Sequence, residues 1–393
     1  MAVTDFTVDR DTVKYVLNSS GDIASVAIDT PAIEYNTDGT YKGLLVEPAS
    51  TNLCLQSEDI NTTWGTVNAT PTQDTEETPD GDTSNKYIKL VDDSGGGTGN
   101  VFVAQTITVS GGTKYTASVF LKRDGLNWAK LQAAGAGSVG DANPNKFFDL
   151  DNGVLGTGSA GIQDATIEEY PNGWYRCSIT WTQGAADTSF DFNIYVANDD
   201  VDANVDLDGT SSIFVWGAQV ETGPIATSYI PATTASVTRN KDDIELTSAS
   251  SLIGQTEGTV YIEVDFRTAT GTTQYILSAN DGTSNNRFLI YSSGGFTSIL
   301  ISAGGSTVLA TGAASLADGV QKLALAYANG DQEFYRNGSS IATGTGSLAA
   351  LATLTDIDFQ AFNATFQANM WIRAVALFPR RLSDAECEAL TTL

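Results

Sequence analysis

The sequence predicts an all-β protein: two tandem β-sandwiches preceded by a short N-terminal β segment. Three observations carry that expectation. Short stretches of alternating apolar and polar residues recur at intervals of roughly ten, separated by turn residues, which is the spacing of a sandwich. Glycine supplies 38 of the 393 residues, so turns are easily made. The one helix-like segment lies at the C-terminus, where Ser383 and Glu386 have the spacing of a capping box. A chain this long can bury more than one core, and it divides into residues 1–45, 46–241 and 242–393.

Within 1–45, the apolar stretch 13–17, a turn at 18–22 and residues 23–28 read as a hairpin too small to bury a core alone. It must dock on a neighbouring subunit, as an assembly or attachment segment, or complete the sandwich that follows. Residues 46–241 carry strand patterns at 101–109, 114–122, 128–133, 173–181, 190–196 and 212–219. A period of two sets Tyr175, Cys177, Ile179 and Trp181 on one face, towards a core. In 242–393, Val260, Ile262, Val264 and Phe266 alternate with polar neighbours. Strands at 322–327 and 332–336 precede Asn337-Gly338, a hairpin signal because both turn positions favour positive φ. A last strand spans 371–378. The linker 238–243 is short and polar, so the two sandwiches are expected to touch.

Charge excludes one class of partner. The net charge is −27, and residues 46–240 hold 9 basic against 25 acidic side chains. Such a surface repels a phosphate backbone, so no nucleic acid is expected. Solubility at high copy number or in a salty medium accounts for the excess, and bound divalent cations are the alternative. Histidine is absent, which removes Ser-His-Asp and Cys-His nucleophiles and every His-containing zinc site. Cys54, Cys177 and Cys387 are isolated and odd in number, and are expected as buried free thiols. No apolar run nears the ~20 residues that cross a bilayer, and residues 1–5 show no signal-peptide pattern. The expectation is a protein made in a cytoplasm, with no membrane insertion.

Two kinds of site stand out. Asp202, Asn204, Asp206 and Asp208 fall on one side of an extended stretch and offer oxygen ligands suited to calcium. They lack EF-hand spacing, and a solvated loop is the competing reading. Sugar binding uses an aromatic face against a pyranose with polar groups on its hydroxyls. Trp128, next to a polar turn, fits that role, whereas Trp174, Trp181 and Trp216 sit inside strand patterns and read as core. In the C-terminal part, the loops 280–287 and 292–296 offer Asp281, Asn285, Arg287 and Phe296 as a second sugar contact, or are plain hairpin connections.

Three ordered stretches carry a resemblance. The first is Gly43-Leu44-Leu45-Val46-Glu47-Pro48-Ala49-Ser50-Thr51-Asn52-Leu53, followed by Leu55-Gln56-Ser57-Glu58-Asp59 and Trp64. The second is Asn172-Gly173-Trp174-Tyr175-Arg176. The third is Trp216-Gly217-Ala218-Gln219-Val220-Glu221, running on to Thr227-Ser228-Tyr229-Ile230-Pro231 and Val237-Thr238-Arg239. Together they resemble a family of bacteriophage virion proteins. In that family the first stretch ends an N-terminal segment and opens a jelly-roll sandwich similar to carbohydrate-binding modules. The order of strands, "EFYRNG" and "WIRAVALFPRRLSDAE" in 242–393 resembles a laminin-G-like, concanavalin-A-like lectin fold.

The resemblance implies a non-enzymatic virion structural protein at the virion surface, synthesised in the host cytoplasm. It would act as a fibre or spike that binds host-surface glycans, or alternatively as a capsid decoration (cement) protein. Its partners would be other capsid or tail proteins, a host-surface glycan and copies of itself, a trimer being favoured. No cofactor is required, and calcium remains open. Concanavalin-A-like folds include glucanases, so Glu263 and Asp265 are candidate catalytic carboxylates. A third acidic residue is missing, and Arg267 on the same face is expected to hold both carboxylates ionised, which argues against hydrolysis.

Overall fold

The computed structural model describes residues 5–138, 140–267, 273–315, 318–359 and 368–393. It is an all-β protein of sandwiched antiparallel sheets. The first sheet of the middle sandwich runs Val154–Gly158, Asn145–Asp149, Trp128–Ala134, Ser189–Ala197, Thr98–Thr108, Asn204–Asp206, with Gly65–Val67 also paired to Thr98–Thr108. The second runs Asp164–Tyr170, Trp174–Thr182, Lys114–Arg123, Ser212–Thr222, Lys86–Asp92, Ala69–Asp74. Val103, Leu131, Phe148 and Ile194 of the first sheet meet Val119, Cys177, Ile179, Trp181 and Val220 of the second in one buried core. The face expected from the alternation at 175–181 enters this core, and the opposite face of the same strand, with Trp174 and Arg176, is buried as well.

The C-terminal sandwich pairs a sheet ordered Thr7–Asp9, Asp243–Leu246, Asp356–Asp358, Gln274–Asn280, Arg287–Ser293, Phe296–Ala303, Ser306–Ser315 with another ordered Ser339–Gly344, Asp331–Arg336, Gly319–Ala328, Glu257–Phe266, Met370–Phe378, Tyr41–Val46, Ile33–Tyr35. The expected hairpin turn is present, with φ of 47° at Asn337 and 80° at Gly338. The helix Asp384–Thr391 opens with the full Ser383–Glu386 capping box. With Leu382 it lays Cys387 against Tyr261, Ala324, Ala326 and Tyr335. All three cysteines are free and buried.

The N-terminal residues are woven through the rest of the chain. Thr7–Asp9 and Tyr41–Val46 extend the two sheets of the most distant sandwich in sequence, with Ile33–Tyr35 outside the latter. The hairpin of Lys14–Leu17 and Ile23–Val26 instead covers the middle sandwich, where Leu17 and Ile23 pack on Phe120, Trp174, Phe214, Trp216 and Tyr229. A segment with no core of its own thus borrows two.

The stretches that carry the family resemblance hold this arrangement together. The Asn52 side chain donates to the carbonyls of Ala218 and Ile230 and accepts from the amides of Cys54 and Val220, using its whole hydrogen-bonding capacity. The Ser50 hydroxyl donates to Glu221 at 2.7 Å, and Glu221 also accepts from the Gln219 side chain and the Thr227 amide. Ser50–Asn52 pairs directly with Val237–Arg239.

Beneath them lies a buried charge network. Asp242 receives Arg10 at 2.8 Å and Lys14 at 2.6 Å, Lys14 also meets Glu47 at 3.0 Å, and Arg239 lies 3.6 Å from Glu47. All five side chains are at most 1% exposed. Burial alone would raise the Glu47 carboxyl. The charges of Arg239 and Lys14 and the bonds from Ser228 outweigh it, and hold the group well below the usual carboxylate range.

Removing one member leaves an uncompensated buried charge. Lys14→Met should therefore cost about 3–5 kcal/mol in urea unfolding. Loss of under about 1 kcal/mol would show that the network is peripheral.

Candidate functional site

Each sandwich has two outer sheet faces, and their coverings differ. On the middle sandwich, the N-terminal hairpin covers the outer face of the sheet containing Phe120 and Trp216. On the C-terminal sandwich, the helix covers part of one outer face. Its opposite face is lined by carboxylates, with Asp9 opposite Asp243 and Glu245 opposite Asp358. The fourth face, on the middle-sandwich sheet containing Trp128–Ala134, is of another kind.

There the register aligns side chains across strands. Phe147, Lys130, Tyr195, Phe102 and Val67 form one transverse row on five adjacent strands. The next row is Asn145, Gln132, Asn193, Ala104 and Gly65, and Trp128 lies opposite Ala197 on the other side. Alternation explains the placement: Ala129, Leu131 and Ala133 enter the core, so Trp128, Lys130 and Gln132 must point outward. The result is an aromatic strip bordered by amides.

The strip is organised by its own contacts. Phe102 and Tyr195 stack with centroids 4.4 Å apart. The Tyr195 hydroxyl donates to Gln132 at 2.8 Å, and the Asn193 amide nitrogen lies 3.3 Å from the same oxygen. Asn193 Oδ1 is buried without a donor. Lys130 places its ammonium 3.8 Å from the Tyr195 ring centroid. Burial pushes the Lys130 ammonium down to about 8. Trp128 is half-buried, whereas the other five tryptophans are all buried. Phe147 and Tyr195 are buried in a small cluster with Ala197 and Ala203, and Phe102 and Trp128 pack half-buried against it, so Phe102, Trp128 and the amide of Gln132 are what the strip offers an apolar sugar face and its hydroxyls.

Of the residues singled out in the sequence, Trp128 belongs to this strip. Phe102, Lys130, Gln132, Phe147, Asn193 and Tyr195 were not foreseen. The outward alternation of Trp128-Ala129-Lys130-Leu131-Gln132 was legible, but the strands beside it were not.

The other candidates are placed differently. Asp281 and Arg287 sit at the start of the strand Arg287–Ser293, and Phe296 at its far end, about 20 Å away by strand rise. They do not form one contact. Asp281 is spent on its own loop, accepting from Thr283 and from the Asn286 side chain. The Asn285 carbonyl accepts from Gly305, and Phe296 is 48% exposed.

In the acidic stretch, Asn204 and Asp206 point outward from a short strand. Asp202 accepts from the Asn204 amide at 2.9 Å, and Asp208 from Thr210. Among the described residues, the three carboxylates whose oxygens lie within 4.8 Å of one another are Asp9, Asp11 and Asp29, not these.

Glu263 is paired to Arg373 at 3.0 Å. Arg267 does not serve Asp265 as a close partner: it crosses to the middle sandwich and meets Glu168 at 2.9 Å. Burial raises Asp265, while the charges of Lys42, Arg373 and Arg267 favour its ionised form, so Arg267 acts on it at a distance and not as a close partner.

No family model matches the chain, and no curated protein does. Distant likenesses exist among solved structures. A structure of botulinum neurotoxin type C concerned with its interaction with two ganglioside molecules has a TM-score of 0.33 at 14% identity, over 39% of this chain and 40% of that one. The binding domain of botulinum neurotoxin DC in complex with rat synaptotagmin II gives 0.32 at 15%, over 39% and 40%. The Ruminococcus gnavus IT-sialidase CBM40 bound to alpha2,3 sialyllactose gives 0.31 at 18%, over 36% and 86%. The chain thus spans about two fifths of the neurotoxin structures, and the gangliosides, synaptotagmin and sialyllactose are partners of those proteins.

Two outcomes follow. Burial, with Glu245, Asp356 and Asp243 nearby, pushes the Asp358 carboxyl up to about 7 despite its bond from Asn280. The folded protein therefore retains a proton that the unfolded chain releases near 3.8, and this group's contribution to stability falls as pH rises from about 4 to 7. Asp358→Asn should flatten that slope and raise the melting temperature at pH 8 by a few degrees, about 2–4 °C per kcal/mol. An unchanged pH profile would place the proton elsewhere. For calcium, the melt should be the same with EDTA as with excess calcium. A calcium-dependent rise that Asp206→Asn and Asp208→Asn abolish would show that an ion gathers these residues.

Proposed function

We propose that this protein is a non-enzymatic carbohydrate-binding component of a virus particle, a fibre- or spike-type surface protein. Its sugar contact is the outer strip around Trp128. The observation that carries the binding reading is the transverse row of Phe147, Lys130, Tyr195 and Phe102 with amides alongside, on a face that neither the N-terminal hairpin nor the helix covers.

The sequence supports the non-enzymatic reading in that histidine-dependent nucleophiles are unavailable and the third acidic residue of a glucanase strand is missing after Glu263 and Asp265. The geometry agrees: the Glu263 carboxylate is tied to Arg373. The ordered stretches 43–64, 172–176 and 216–239 support the particle reading. A single weak saccharide contact gains strength when many copies act together, and a particle supplies the copies. Host-surface glycans are then the ligand class, with homo-oligomers and other virion proteins as partners.

Trp128→Ala should weaken glycan binding by about tenfold, with the fold retained, because a stacking surface is lost. Binding unchanged in that variant would remove the strip from consideration. Gold-labelled antibody on intact particles should mark appendage tips. Labelling spread evenly over the capsid would favour a decoration protein.

A further inference from the structure

Resting on the reading of this strip as a saccharide site, we propose that Lys130 makes it selective for acidic sugars, receiving a ligand carboxylate at its ammonium while Trp128 and Phe102 border the ring. The chain has 47 acidic and 20 basic residues, so a cation has many carboxylates to choose from. Three other half-buried cations take one: Lys86 meets Asp82 at 2.9 Å, Lys89 meets Asp124 at 2.7 Å, and Arg267 meets Glu168 at 2.9 Å, whereas Lys322 donates to the Thr392 carbonyl. Lys130 is set against the rings of Tyr195 and Phe147, burial pushes its ammonium down, and among the described residues no carboxylate lies within ion-pair distance of it.

The acids nearest the strip are already engaged: Asp200, beside the Trp128 ring, accepts from the Thr157 amide and hydroxyl. Asp149, opposite Trp128, accepts from the Asp151 and Asn152 amides and the Asn152 side chain. Asp191, opposite Ala134 and Thr106, accepts from the Thr106 hydroxyl at 2.6 Å. A partly desolvated ammonium without an anion is costly, and a cation–π contact offsets only part of that cost. An incoming carboxylate would form a charge-assisted bond in a partly buried site, where such bonds are strongest.

The protein's overall negative charge opposes any anion at long range. Charges beyond about 8 Å are largely screened at physiological salt, so selectivity here is decided by the local cation. The chemistry that fits is a pyranose bearing a carboxylate, a hexuronic acid or another acidic sugar.

The test uses the full-length protein against an array of carboxylate-bearing oligosaccharides, each paired with its methyl ester, with hits quantified by calorimetry. Wild type should bind at least one free acid about tenfold more tightly than its ester. Lys130→Met keeps the stem and should bring the acid-to-ester affinity ratio to about one, and Lys130→Arg should restore it. If Lys130 serves only to pack on Tyr195, Lys130→Met will lower the melting temperature and leave the acid-to-ester ratio intact, which overturns the proposal. Equal affinity for every acid and its ester in wild type also overturns it, while the strip remains a neutral-sugar site. Failure to bind any saccharide removes both readings together.

Discussion

The buried network of Arg10, Lys14, Glu47, Arg239 and Asp242 is the constraint on which the rest of this structure depends. It joins the N-terminal segment, the opening of the middle sandwich and the linker at one point, and its members are separated by up to 232 residues. Three cations against two carboxylates would be unfavourable out of water. The surplus is met by backbone: Lys14 donates to the Leu45 carbonyl, Arg10 to those of Ala27 and Thr30, and Arg239 to that of Pro48. Such a network stabilises only when every member is present, which favours one arrangement of the segments over looser ones.

With that junction set, the remaining surfaces follow. The hairpin at 14–26 has to lie where Lys14 is anchored, which brings Leu17 and Ile23 over the aromatic side of the middle sandwich. The aromatic residues most prominent in the sequence, Trp174 and Trp216, are consumed there as core. The two sandwiches also meet through Arg267 and Glu168, so a polar contact reinforces the linker. On the opposite sheet of the middle sandwich, Phe147 and Tyr195 are buried with Ala203, and Phe102, Trp128 and Lys130 remain half-buried at the surface.

The stretches that resemble a virion family are structural in this fold. Asn52 joins four backbone groups, Glu221 gathers Ser50, Gln219 and Thr227, and Ser57 bonds the Tyr229 hydroxyl at 2.8 Å. A recognisable motif here marks the seam between segments that are distant in sequence. The proposed ligand contact lies on strands outside the motif, which is where side chains can change without disturbing the seam.

Much of the fold was legible in the sequence because its signals are local. Alternation at 175–181 and 260–266, the Asn337-Gly338 turn and the Ser383–Glu386 cap depend on neighbours a few residues apart, and each formed as its local chemistry requires. The outward pointing of Trp128, Lys130 and Gln132 was fixed by the same period of two. What the sequence could not decide was pairing. Nothing local tells Tyr41–Val46 to join Met370–Phe378, or sets Lys130 beside Tyr195 and Phe147, because register is chosen by packing and by the turns of the whole sheet. For the same reason Asp281 and Phe296, close in sequence, were carried to opposite ends of a strand, while Phe102, Trp128 and Tyr195, far apart in sequence, came to share one face.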